Sequence, residues 1–273
     1  YGVMPIWGRK NILISAPTGG TKTLTAFLSI LNYLVGLAEK NELEDKVYAV
    51  YCSPLKALTR DIFKNLIEPL EEINKIAEQE GKKLGEIRIA LRTGDTTAVE
   101  RQKHMKKMPH ILVTTPETLA IVLNAPKFSL GLKAVEFVVV DEIHALANKR
   151  GVHLSLSLER LEEMSKIAPV RIGLSATISP LTEIAKFLTG NRECLIADVE
   201  LDKKIDIGIE CIDGLEDGID INEGVYGLID KLVEEHKTTL IFTNTRAGTE
   251  RVIHHLKERF PGKYAENIGA HHS

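Results

Sequence analysis

Short, almost continuous apolar runs alternate along the chain with longer stretches whose apolar residues recur at helical spacing. The runs are Asn11–Ser15, Val47–Cys52, Ile87–Leu91, His110–Thr114, Glu136–Asp141, Val170–Ser175 and Cys194–Asp198. Phe137-Val138-Val139-Val140 shows no polar alternation, the pattern of a strand buried on both faces of a parallel sheet. Helices are expected between the runs, over Thr23–Glu39, Lys56–Gln79, Pro116–Leu123, Val152–Ile167 and Pro180–Leu188. Such alternation predicts a doubly wound α/β domain with helices on both faces of a parallel sheet. The pattern breaks at Val199–Gly218, which is rich in Asp, Glu, Lys and Ile and reads as a linker plus an entry strand. A second alternation follows, with a helix over Gly224–Glu235, a strand over Thr238–Phe242 and a helix over Ala247–Phe260. Residues 1–200 are therefore expected to form one domain. Residues 201–273 are expected to form the amino-terminal part of a second, because one strand and two helices are too little for a complete core.

The first run leads into Ala16-Pro17-Thr18-Gly19-Gly20-Thr21-Lys22-Thr23 and then a helical pattern. Strand, glycine-containing turn, Lys-Thr and helix are the context of a phosphate-binding loop. Backbone N–H groups of such a turn point inward at phosphate oxygens, and the helix amino terminus adds partial positive charge. Lys22 would reach the β- and γ-phosphates, and the Thr23 hydroxyl would ligate Mg²⁺. One position departs from the general pattern. Thr21 stands where glycine normally precedes the lysine, and a β-branched side chain there crowds the phosphate or resists the loop's backbone angles.

The fifth run carries Asp141-Glu142-Ile143-His144 to its carboxyl end, where α/β sheets place ligands. Asp141 suits a Mg²⁺ ligand, and Glu142 suits the acceptor of a proton from attacking water. Two adjacent carboxylates are common in solvated turns. Beside a phosphate loop in the same domain they point to nucleotide hydrolysis.

Composition narrows the setting. The 35 Lys+Arg and 38 Asp+Glu leave a formal charge of −3, so nothing global announces a nucleic-acid partner. Hydrophobic residues at 44% and charged residues at 27% exclude a wholly disordered chain. No apolar run reaches the roughly 18 residues of a membrane-spanning helix, and no signal peptide is visible. Cys52, Cys194 and Cys211 are odd in number and widely spaced, which fits a reducing compartment such as the cytoplasm. No Cys/His group has zinc spacing.

From Asp141-Glu142-Ile143-His144 outward, the chain resembles superfamily 2 DEAD/DEAH-type helicases. The further segments, in order, are Ser53-Pro54-Leu55-Lys56-Ala57-Leu58, Arg92-Thr93-Gly94-Asp95-Thr96, Thr114-Thr115-Pro116-Glu117-Thr118-Leu119, Ser175-Ala176-Thr177 and Leu240-Ile241-Phe242-Thr243-Asn244-Thr245-Arg246. The flank Lys149-Arg150-Gly151-Val152-His153-Leu154-Ser155-Leu156-Ser157-Leu158-Glu159-Arg160-Leu161, with Arg171-Ile172-Gly173-Leu174, is similar to the large helicase-related (Lhr) family of archaea and bacteria.

The resemblance implies a RecA-like P-loop domain followed by the start of a second RecA-like domain. It implies ATP held at Pro17, Thr18, Gly19, Gly20, Thr21, Lys22 and Thr23, with Mg²⁺ at Thr23 and Asp141. Lys22, Asp141 and Glu142 match the catalytic positions. His144, Ser175, Ala176 and Thr177 match positions that link the γ-phosphate to interdomain contacts. Pro54, Lys56, Arg60, Gly94, Asp95, Thr115, Pro116 and Glu117 match loops that hold the backbone of a single strand, as do Thr243 and Arg246 in the second domain. The implied partner is single-stranded or partly duplex DNA or RNA, and the implied activity is ATP-driven translocation or unwinding. The family's adenine-reading Gln is expected upstream of Tyr1, and its later motifs, the arginine finger among them, past Ser273. Weak turnover by this length of chain is the corresponding expectation. A nucleic-acid-binding module with impaired turnover, and a P-loop enzyme acting on a small molecule, are the rival readings.

Other features read more plainly. Arg101–Lys107 is a basic run suited to a solvated helix or loop, or to a nucleic-acid face. His254-His255 and His271-His272 read as exposed pairs, not metal sites. Trp7 is placed either near the adenine or packed with Ile6 and Tyr1 under the first strand. Cys52 reads as a small core residue.

Overall fold

The computed structural model describes residues 2–17, 22–54, 56–146, 148–199, 206–211 and 221–270; side chains at 56–61, 63–65 and 221–223 are outside that description. The chain divides into two compact units, Tyr1–Asp202 and Lys203–Ser273.

In the first unit the order is α1 (Val3–Trp7), β1 (Ile12–Ser15), α2 (Lys22–Glu39), β2 (Ala49–Cys52), α3 (Lys56–Gln79), β3 (Ile89–Arg92), α4 (Ala98–Lys106), β4 (Ile111–Thr114), α5 (Pro116–Leu123) and α6 (Pro126–Leu132). Then follow β5 (Phe137–Val140), a 3₁₀ turn (Ile143–Leu146), α7 (Lys149–Met164), β6 (Val170–Ser175), α8 (Leu181–Thr189) and β7 (Leu195–Asp198). All seven expected strands are present. They form one parallel sheet in the order β3-β4-β2-β5-β6-β1-β7.

The sheet is double-faced because its strands are apolar on both sides. Ile12, Ile14, Ala49, Tyr51, Ile111, Val113, Phe137, Val139, Ile172 and Leu174 pack with α2 and α3. Leu13, Val50, Cys52, Leu112, Val138 and Val140 pack with α5, α6, α7 and α8 on the other side. Each fully buried aliphatic or aromatic side chain contributes about 1.5–3 kcal/mol relative to exposure. A buried charge interrupts this core at β6. Arg171 in β6 is paired with Glu159 at 2.8 Å and Glu162 at 2.6 Å, and donates to the Leu188 carbonyl at 3.0 Å. Its desolvation is offset because the guanidinium is satisfied.

Three helices of this unit do not follow from the apolar pattern: α1, α4 and α6. α4 buries no side chain and is held at its start by a capping box, in which Thr97 accepts from the Glu100 N–H and Glu100 accepts from the Thr97 N–H. Arg101–Lys107 thus forms a solvated helix and its end.

The second unit holds α9 (Ile221–Glu234), α10 (Arg246–Arg259) and α11 (Pro261–Tyr264) around Tyr226, Leu256 and Tyr264. Lys263 bridges Asp230 at 2.7 Å and Glu234 at 2.8 Å. The strand expected over Thr238–Phe242 does not form, and Leu240 and Phe242 are 80% and 90% exposed. A strand requires a neighbour for its ladder, and no strand is assigned among the described residues of this unit. The entry strand expected within Val199–Gly218 is likewise absent over 206–211, where Ile207 and Ile209 are exposed. Residues 200–205 and 212–218 of that stretch lie outside the described residues.

Candidate functional site

β1 and β5 deliver the two expected motifs to the same edge of the sheet, with β6 between them. Thr18, Gly19, Gly20 and Thr21 lie outside the described residues. On their two sides, β1 runs into Ala16 and Pro17, and Lys22 opens α2, followed by Thr23. Lys22 is only 8% exposed, and its ammonium donates to the Ala16 carbonyl at 2.6 Å and the Pro17 carbonyl at 3.2 Å. The Ala16 N–H donates to the Ser175 carbonyl at 3.2 Å, tying the start of the loop to the end of β6.

Asp141 is 6% exposed, yet its carboxylate is well supplied with donors. The Tyr51 hydroxyl donates to Oδ2, and the Glu142 N–H donates to Oδ1 at 2.9 Å. Tyr51 is held in turn by packing, its ring 5.3 Å from that of Phe27 in α2. Burial, followed by the Asp141 charge, pushes the Tyr51 phenol up, so it remains a donor. Glu142 adopts φ +47°, a left-handed conformation that costs a non-glycine residue of order 1–3 kcal/mol and tends to mark functional positions.

His144, in the 3₁₀ turn, joins two segments. Its Nε2 lies 3.1 Å from Glu142 Oε2. Its Nδ1 accepts from the Ala176 N–H at 3.2 Å and lies 3.4 Å from the Ser175 hydroxyl. Accepting at Nδ1 puts the ring proton on Nε2, which then donates to Glu142. Of the expected linking set, the structure brings together His144, Ser175 and Ala176. Thr177 is exposed just beyond them.

The remaining candidates of the first unit sit on the other half of the same edge. Pro54 follows β2, Gly94 and Asp95 follow β3, and Thr115, Pro116 and Glu117 begin α5 after β4. The turn at Gly94 is held by the Thr93 N–H donating to Thr96 Oγ1 at 2.8 Å and by Arg101 donating to the Gly94 carbonyl at 3.4 Å. The Thr115 hydroxyl donates to Thr118 Oγ1 at 3.2 Å. Glu117 is paired with Arg150 at 2.6 Å. Lys56 and Arg60 lie on the first turns of α3, but their side chains are outside the description. Arg92 stacks on the core, its guanidinium 4.4 Å from the Phe128 ring centroid. In the second unit, Thr243 Oγ1 donates to the Thr245 carbonyl at 3.0 Å, and Thr245 caps α10, where Arg246 begins the helix.

Tyr51 and Arg150 carry contacts that no role read from the sequence anticipated. Tyr51 signals itself in the sequence only as one of two aromatics, with Tyr48, in the apolar run Val47–Cys52. Trp7 is 54% exposed and borders a cavity of about 210 Å³ with Arg9, Tyr33 and Phe137, at the amino-terminal end of β5 and away from the phosphate loop. Cys52 is fully buried, and burial pushes its thiol up, as befits a core residue.

A seven-stranded parallel sheet with these loops at one edge has the architecture of a RecA-like helicase domain. The chain belongs to the DEAD/DEAH box helicase family, whose profile matches residues 3–185. It is 55% identical to "ATP-dependent helicase Lhr-Core protein 2" of Thermococcus barophilus, over all of this chain and 33% of that protein. It is 56% identical to "ATP-dependent helicase Lhr-Core" of Methanothermobacter thermautotrophicus, again over all of this chain and 33% of the relative. Among solved structures, that of the Mycobacterium smegmatis helicase Lhr bound to ssDNA and AMP-PNP is similar at a TM-score of 0.81 and 36% identity, over 96% of this chain and 33% of that one. The chain thus spans about a third of the length of these relatives. None of its described helices is long and apolar enough to cross a membrane.

Proposed function

We propose that this chain is the nucleotide-binding part of an ATP-dependent helicase or translocase that acts on single-stranded or partly duplex nucleic acid. The observation that carries the reading is the run of contacts from Glu142 through His144 to Ala176 and Ser175, which leads from the end of β5 to the end of β6, the strand next to the one that precedes Lys22. It joins a carboxylate suited to water activation to a segment beyond the next strand.

In this reading residues 17–23 cradle the phosphates and Lys22 turns from the Ala16 and Pro17 carbonyls to the β- and γ-phosphates. Glu142 accepts the proton of the attacking water, with His144 holding its carboxylate. Thr23 and Asp141 fit Mg²⁺, because a hydroxyl and a buried carboxylate are hard oxygen donors. Bound Mg²⁺ would neutralise charge on the β- and γ-phosphates. Residues 1–200 would form the first RecA-like domain and 201–273 the beginning of a second, where Thr243 and Arg246 meet the strand. Pro54, Lys56, Arg60, Gly94, Asp95, Thr115 and Pro116 would contact its backbone. Three free cysteines suit the cytoplasm.

The test is anisotropy of labelled single-stranded DNA and RNA with and without Mg²⁺-ATP, on this chain and on Lys22→Ala. Strand affinity is expected to change with nucleotide in the wild type and not in Lys22→Ala. Strand binding indifferent to nucleotide in both would favour the passive module, for which Thr21 in the phosphate loop is the supporting observation. Thr21→Gly then decides. A large gain in ATP affinity marks a decayed loop, and no gain marks Thr21 as tolerated.

A further inference from the structure

Arg150 lies in the first turn of α7, downstream of the Asp141–His144 segment, yet its side chain reaches away from the nucleotide half of the sheet. Its Nε donates to Glu117 Oε1 at 2.6 Å, in the first turn of α5. Its Nη2 donates to the Pro54 carbonyl at 2.8 Å, in the loop after β2. Its own N–H is capped by Asn148 Oδ1 at 2.9 Å. The base of the side chain is fixed by a close approach next door. A Cβ on Gly151 would stand 1.7 Å from the Leu146 carbonyl oxygen, so only glycine lets α7 start against the 3₁₀ turn.

β4, β2 and β5 are adjacent, and Arg150 therefore spans the loops at the ends of three neighbouring strands. We propose that Arg150 is a positioning residue of the nucleic-acid face. It fastens the loop after β2 to the first turn of α5 and sets the spacing between them, with Glu117 as its anchor and not a strand contact. The proposal rests on the reading that these two loops face the strand. An acidic side chain at a phosphate-facing edge opposes binding unless it is neutralised, and Arg150 neutralises Glu117 where it stands.

The test is equilibrium binding of a labelled oligo-dT to this chain over a salt series, for wild type, Arg150→Ala, Arg150→Lys, Glu117→Gln, the Arg150→Ala/Glu117→Gln double variant and Thr115→Val. ATP affinity and thermal unfolding are followed alongside. Arg150→Ala is expected to weaken binding on the order of fivefold, about 1 kcal/mol, with the slope of log K against log salt unchanged. Arg150→Lys should not rescue it, because an ammonium lacks the planar fork that serves two acceptors. Glu117→Gln should weaken binding similarly, the double variant should be no worse than either single, and ATP affinity should hold. A slope shallower by about 0.7 in Arg150→Ala, with tighter binding in Glu117→Gln, would make Arg150 a phosphate contact and overturn the proposal. Unaltered affinity in Arg150→Ala, with loss in Thr115→Val, would overturn the proposal alone. A wild type that does not bind, or Thr115→Val without effect, would remove the strand-facing reading and the proposal with it.

Discussion

Asp141 and Tyr51 show how a buried acid is made usable. Asp141 is nearly excluded from water, and each carboxylate oxygen receives one donor, the Tyr51 hydroxyl on one side and the Glu142 N–H on the other. One donor per oxygen fixes the carboxylate plane and leaves lone pairs over for another ligand. Tyr51→Phe keeps the ring against Phe27 and removes only the hydroxyl. It is expected to cost about 1–3 kcal/mol in urea unfolding, since a buried charge loses a donor. It should also raise the Mg²⁺ concentration needed for tight ATP binding. An unaltered Mg²⁺ requirement would mean that Glu142 alone holds the carboxylate. Lys22, Asp141, Glu142 and His144 are legible as candidates because each sits in a short local string. Tyr51 and Arg150 are not, because Asp141 lies 90 positions from Tyr51, and Pro54 lies 96 positions from Arg150.

Element by element, what was legible is what signals burial. All seven strands announce themselves as apolar runs because the parallel sheet covers both faces. The long helices α2, α3 and α7 carry clear apolar stripes. α4 has no buried residue and so no stripe, and its capping box is the only sign of it. α1 is five residues and α6 contains Gly131, so neither holds a period long enough to read. Thr238–Phe242 failed the other way, because an apolar run signals a wish for burial that only partners can satisfy. Register at the β3 edge depends on a histidine. His110 precedes β4, is 1% exposed, and accepts at Nδ1 from the Arg88 backbone N–H at 3.2 Å while its backbone N–H donates to the Arg88 carbonyl at 2.8 Å. Burial, then the Arg88 charge, lowers its pKa to about 4. Between an unfolded value of about 6.5 and that folded value, the unfolded chain binds the extra proton. Stability from this group is therefore complete above about pH 6.5 and lost as pH falls toward 4, at up to about 1.4 kcal/mol per pH unit. His110→Asn keeps an acceptor for Arg88 and does not titrate. Its unfolding free energy, measured from pH 7.5 to 4.5, should fall less steeply than that of the wild type. Equal slopes would place the wild type's acid sensitivity elsewhere.

For the first unit as a whole, the strand order separates two sets of candidate residues, to which the proposed function gives two tasks. β5, β6 and β1 lie side by side and end in Asp141–His144, Ser175–Thr177 and the phosphate loop, whereas β3, β4 and β2 lie side by side and end in Gly94, Thr115 and Pro54. The seam between the halves is the β2–β5 pair, and the side chains that cross it with hydrogen bonds include Tyr51 to Asp141, Arg150 to Pro54 and Arg160 to Asn124. In the proposed function, these contacts give a change at the nucleotide end short routes to the other half. The division also predicts how salt acts. With a net charge of −3, attraction to a polyanion must come from a few local cations and not from the whole molecule. Each lysine or arginine that meets a phosphate of a single strand steepens the slope of log K against log salt by about 0.7. Lys56→Ala and Arg60→Ala, at the start of α3 on the half proposed to face the strand, are each expected to make it shallower by about that amount. Lys22→Ala, on the nucleotide half, should leave the slope as it was. If Lys22→Ala flattens the slope as much as Lys56→Ala does, the strand runs over the phosphate loop itself, and the sheet edge is one shared surface with no seam.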